Sequence, residues 1–210
     1  MKSDGRLNSW SWLYKLGGVT SLILFVSFLV GASWLVWRPT GWIASLQNTW
    51  LVVLYRINAT HASEDLLIAQ NAIDLIIFFL FAVLFVALGA ALWRTNRLWA
   101  SVSAVLTFLG FILFLITNQA GRSALLLGSI IIGIIMLRSD SFSKPAGYVG
   151  IAGGALLLVA GDFATAMFPP SMFIAASIAL GYLLWIAWFL MIGQSLLQSG
   201  SNEHKSSWAS

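Results

Sequence analysis

The sequence has no cysteine, two histidines, four prolines and little charge of either sign. Only 9% of its 210 residues are Asp, Glu, Lys or Arg, where a soluble domain carries about 25%. Eleven basic and seven acidic residues cannot cover a water-facing surface of this size. That excludes a soluble globular enzyme, a disordered tail and a nucleic-acid-binding domain. The missing cysteines exclude disulfides, thiolate metal sites, iron–sulfur clusters and thiol redox chemistry. His61 and His204 lie in polar stretches, which argues against a bis-histidine haem or a histidine metal cluster within a membrane. Lys2, Lys15, Lys144 and Lys205 all lie outside the apolar runs, so a retinal Schiff base has no lysine to form on. No cofactor and no metal is expected. The net charge of +4 comes from basic residues set singly at segment ends, where they govern topology and offer no nucleic-acid surface.

What the chain does have is apolar length. Hydrophobic residues make up 60% of it and the mean hydropathy is +0.90. A bilayer core of about 30 Å needs about 20 apolar residues at a rise of about 1.5 Å each. Six stretches reach that length, at about 17–37, 73–93, 98–118, 120–137, 147–168 and 173–194. All four prolines, Pro39, Pro145, Pro169 and Pro170, fall between them, where helices start and stop. Continuous runs, rather than alternation, favour helices over a β-barrel. The expected fold is therefore all-α: one membrane domain, a polytopic bundle of six transmembrane helices.

Orientation follows from lysine and arginine in the short connections. Lys2, Arg6, Lys15, Arg94, Arg97, Arg138, Lys144 and Lys205 collect at alternate ends, against Arg38, Arg56 and Arg122 at the opposite ends. Both termini are expected in the cytoplasm. Trp93 and Trp99 flank the inner turn, and Trp34, Trp37 and Trp42 cluster near the outer boundary. The first stretch also has features of a signal peptide, with Val30-Gly31-Ala32 loosely resembling a cleavage site. Its long polar n-region and the apolar run beyond that site favour a retained helix. The outer loop, 38–72, holds an amphipathic helix at about 41–57, with Ile43, Leu46, Trp50, Val53, Leu54 and Ile57 at helical spacing. It reads equally as an interfacial helix or as a packing helix over the bundle mouth. Asn58-Ala59-Thr60 matches a glycosylation sequon on the outer side.

Three charges lie within the six stretches: Asp74, Arg122 and Asp162. All belong to the outer half. Gln70, Asn71 and Asp74 share a helix face at i, i+1 and i+4. Asn118 and Gln119 close the third stretch, Arg122 and Ser123 open the fourth, and Thr165 follows Asp162 near the end of the fifth. An ionised carboxylate at the depth of Asp162 costs about 2 kcal/mol or more unless paired. Arg122 is the cation that a short hairpin delivers there. The expectation is an Arg122–Asp162 pair, with Asp74, Asn71, Gln70, Asn118, Gln119 and Thr165, at the base of an outward-facing cavity for a small molecule, lipid or ion. The same pair reads as a structural clasp between helices, with Asp74 as a helix cap. The set has no nucleophile–base pairing, no metal ligands and no phosphate loop, so it argues against an enzyme.

Glycines crowd the fifth stretch. Gly150 and Gly154 form a G-x-x-x-G and, with Gly161, suit close helix packing. That packing is either internal or against a partner, a second copy or a larger membrane complex in which the chain is an accessory subunit. Gly181, Trp185 and Trp188 share a face of the sixth stretch, which either stacks a flat ligand or fills space beside a glycine groove.

Met136-Leu137-Arg138-Ser139-Asp140, Phe142-Ser143-Lys144 and Gly147-Tyr148-Val149-Gly150-Ile151, with Leu183-Leu184-Trp185-Ile186 and Gly193-Gln194-Ser195-Leu196, carry a family likeness. Over most of its length the chain resembles the bacterial multi-pass membrane proteins grouped as domain of unknown function 4386. The resemblance implies a bacterial inner-membrane location. It transfers no activity and no catalytic residues.

Overall fold

A computed structural model describes residues 10–37, 64–93, 95–116, 118–164, 167–168 and 171–206. Helix α1 is Ser11–Trp37, α2 Glu64–Leu92, α3 Arg97–Ile116, α4 Asn118–Arg138, α5 Lys144–Leu156 and α6 Met172–Ser206. A π-helix, Leu157–Ala164, continues α5 without a break. No strand occurs among the described residues. Long runs of Leu, Ile, Phe and Ala without proline satisfy every interior backbone group within the segment, as an apolar solvent demands.

The helix ends carry local signals. Asn96 Oδ1 accepts from the Trp99 amide at 3.2 Å and caps α3. Ser171 Oγ does the same for Ile174 at the start of α6, also at 3.2 Å. Pro145 sits in the first turn of α5, where its missing amide hydrogen costs nothing. Lys144 Nζ donates to the carbonyls of Leu137 and Ser139 and so closes α4.

Each helix packs against its neighbours in sequence, and α6 returns to pack on α1, which closes a ring. Glycine contacts show the alternating directions. Gly17 of α1 abuts Ala87 near the end of α2, and Gly110 of α3 abuts Gly121 near the start of α4. Gly133 and Gly147 meet backbone to backbone: a Cβ on either would stand 2.9 Å from the other's carbonyl oxygen. Only residues without a side chain allow that approach.

Aromatic rings fill the centre. Phe28 of α1, Phe78, Phe81 and Phe85 of α2, and Trp185, Trp188 and Phe189 of α6 are all buried. Trp185 stacks on Phe81 with centroids 5.4 Å apart. The Trp188 indole occupies the place that a Cβ on Gly150 would need, 2.5 Å from Nε1. Both tryptophans therefore fill space, and Gly181 faces Leu156 and Leu157 rather than joining them on a ligand face. The exterior is apolar too: Val26, Phe79, Phe108, Ile134, Val159 and Leu183, from successive elements around the ring, are exposed. A helix apolar on both faces belongs in a hydrocarbon solvent. Among the described residues, four helical segments are long and apolar enough to cross a membrane: Ser11–Val30, Ala120–Arg138, Lys144–Ala164 and Met172–Ser201. Ile76–Leu92 and Arg97–Leu113 are shorter apolar helical stretches.

Three sequence expectations need correction. Helix α2 begins at Glu64, so residues 64–72 are helical rather than the end of a loop. Glu64 and Asp65 suit the positive end of a helix, and the polar residues after them continue it. Helix α6 runs on to Ser206, past the expected end at 194. Gly161 does not take the packing role of Gly150 and Gly154: a Cβ built on it meets nothing within 4 Å. The amphipathic stretch 41–57 and the sequon at 58–60 lie outside the described residues.

Candidate functional site

The buried residues of α5 are Ala146, Gly147, Gly150, Gly153 and Gly154, and the stripe continues to Leu157. That is an α-helical face. Continued at 3.6 residues per turn, it would place Gly161 inside and turn Asp162 about 140° away from Leu157. The chain does otherwise. From Leu157 it becomes a π-helix, which closes each hydrogen bond one residue later. Residue i+5 then takes the place over residue i that i+4 has in an α-helix. Asp162 comes to stand over Leu157 on the inner face. It is buried, with 3% of its surface exposed, while Val159 and Phe163 face outward.

Across from it, α4 presents Arg122 and Ser123 near its start. Arg122 Nη2 donates to Asp162 Oδ1 in an ion pair. Ser123 Oγ donates to Asp162 Oδ2 at 2.6 Å. Adjacent residues on a helix diverge by about 100°, which lets one helix reach both oxygens of a carboxylate on its neighbour. This salt bridge joins α4 to the π-helical segment. Its two ends differ in access, since the Arg122 side chain keeps 18% of its surface exposed and the Asp162 side chain 3%.

Residues 144–162 span roughly 27 Å at about 1.5 Å per residue, so the pair lies at the far end of the ring from Lys144. Lys15, Arg97, Arg138 and Lys144 occupy that other end, by the alternation of the helices. The starts of α2 and α4 lie at the same end as the pair. That brings residues 70–74 and 118–119 to one end of the ring with Arg122 and Asp162. The side chains of Gln70, Asn71, Asp74, Asn118 and Gln119, and the whole of Thr165, lie outside the described residues.

Ser123 is the contact that sequence reasoning left without a role. Its signal is adjacency to Arg122 at the start of a helix facing a lone carboxylate. A serine hydroxyl donating to a carboxylate that already holds a guanidinium fixes that carboxylate in place; it is not set up to attack a substrate. Gly150 packs on Trp188 of α6, and Gly154 on Ser129 and Ile130 of α4. The glycine face of α5 is thus used inside the bundle.

No family model, no curated protein and no solved structure matches the chain.

Proposed function

We propose that this is a non-enzymatic, multi-pass protein of a bacterial cytoplasmic membrane with six spans and both termini inside. Its Arg122–Asp162 end forms an outward-facing polar pocket that binds or passes a small molecule, lipid or ion. The span count is supported by the lengths of α2 and α3, 29 and 20 residues, which contain the two shorter apolar stretches. The orientation is supported by the basic residues gathered at the opposite end of the ring. The bacterial membrane and the grouping with family 4386 rest on the sequence motifs.

The observation that carries the pocket reading is a buried carboxylate with a partly exposed guanidinium at one end of the bundle, where the other buried polar side chains among the described residues are uncharged hydroxyls. Intramembrane charges are costly and mark ligand or ion paths. A second reading has its own support: both oxygens of Asp162 accept from protein donors, which is all a helix clasp requires.

Native mass spectrometry of gently extracted protein separates them. The comparison is between the parent and the double variant Arg122→Leu, Asp162→Leu. The pocket reading expects a bound mass on the parent that the folded double variant lacks. A parent that carries no bound mass, or the same mass as the variant, returns the pair to the clasp.

A further inference from the structure

We infer that residues 157–164 are a two-register element, held as a π-helix by the grip of α4 on Asp162 and returning to an α-helix when that grip is lost. This rests on the ion pair and not on the pocket reading, so either can fail without the other.

The π form needs an outside cause. Such helices are rare and mostly confined to single turns, yet this one covers eight residues, LLVAGDFA. Nothing in that sequence bars an α-helix: it has no proline, and its one glycine stands at a position where backbone φ is not positive. What it does have is one charge. In α register Asp162 would turn away from α4 toward the apolar exterior. In π register both of its oxygens reach donors on α4. The cost of the unusual backbone is offset by the pairing of the carboxylate.

The surroundings confine the movement to this segment. Before Leu157 the helix is clamped on two sides: Gly147 and Gly154 against α4, Gly150 and Gly153 against α6. Beyond it, Val159 and Phe163 are exposed and Gly161 has open space where a Cβ would stand. A change of one residue in register turns everything after the change by about 100°. Side-chain tips lie about 5–6 Å from the helix axis, so such a turn moves them by about 8 Å. A local event at Arg122 thereby becomes a rotation of the outer end of α5.

The absence of native cysteine makes the test direct. Cysteines introduced at Ile134 of α4 and Phe163, both exposed, take spin labels at those two sites alone. Pulsed electron–electron distance measurement in lipid nanodiscs then reads the register. The parent should give one distance. Arg122→Leu with Asp162→Leu, which leaves no orphan charge, should move it by several ångströms. Ser123→Ala, which removes one of the two donors and is a mild change, should split the signal between the parent and shifted distances. A single unchanged distance in both variants overturns the inference. If the double variant does not fold, Ser123→Ala decides alone: an unsplit parent signal overturns it.

Discussion

The fifth apolar stretch is two structures in one. Its first half, Lys144–Leu156, is an α-helix held by the absence of side chains. Gly147 meets the backbone of α4, and Gly150 and Gly153 admit Trp188 and the backbone of α6. Its second half, Leu157–Ala164, is a π-helix that buries Leu157 and Ala160 and pairs Asp162 with Arg122 and Ser123 of α4. The first half is shaped by many small contacts that act through volume. In the two-register proposal the second depends besides on two polar contacts to one carboxylate, which act through the cost of leaving a charge unpaired. Packing specificity spread over four glycines resists change gradually, whereas a backbone register that depends on one ion pair has only two outcomes.

The largest way to break this contrast is to remove one partner of the pair. Arg122→Leu leaves Asp162 in apolar surroundings without its counter-charge, which should cost about 3 kcal/mol. Chemical unfolding in detergent, followed by tryptophan fluorescence, would measure it. Adding Asp162→Leu should restore most of that loss, because a buried pair replaced by apolar side chains is often neutral in stability. If the double variant is as unstable as the single, the second half is held by something other than the pair.

The first half should break by volume instead. Gly133→Val places a Cβ 2.9 Å from the Gly147 carbonyl oxygen and 2.8 Å from the Ile151 side chain. The side chain can move; the backbone oxygen cannot without prising α4 from α5. The expected loss is about 2 kcal/mol, within the usual range for overpacking. It should show as a lower midpoint in the same unfolding curve, with the Arg122–Asp162 pair unaffected. A Gly133→Val protein as stable as the parent would mean that the α4–α5 contact is looser than its glycines imply.

The two halves were also unequally legible in the sequence. Apolar length without proline located the helices, because a membrane-like solvent leaves the backbone no other choice. Arg122 was readable as the partner of Asp162 because it is the one cation within the six stretches, delivered to that depth by a short hairpin. Spacing marked Gly150 and Gly154 as packing residues but left open whether they pack inside the bundle or against a partner; their contacts with Trp188, Ser129 and Ile130 are internal. The π register did not, since hydropathy is blind to which of two helical forms carries an apolar run. Its trace was a phase error, a carboxylate five residues after Leu157 where the buried stripe called for a residue at three or four. Gly161 was assigned to the packing face for the same reason: in α register it would have been there. The start of α2 was hidden differently, as polar residues at the end of a membrane helix look like loop to any hydropathy measure.

That phase error gives the smallest expected effect and the sharpest comparison. Deleting Gly161 shortens the interval between Leu157 and Asp162 from five residues to four. An uninterrupted α-helix then puts the carboxylate back over Leu157, facing Arg122 and Ser123. A Cβ on this glycine would touch nothing within 4 Å, so no neighbouring side chain is fitted to its place. The deletion should therefore cost about 1 kcal/mol, the centre of the range for single changes and less than either change above. Deleting Gly154 should be far worse, since it shifts Asp162 and Leu157 together out of phase with the glycines packed on α4 and α6. If the Gly161 deletion is instead as damaging as that of Gly154, the extra residue serves a purpose beyond aiming Asp162 at α4.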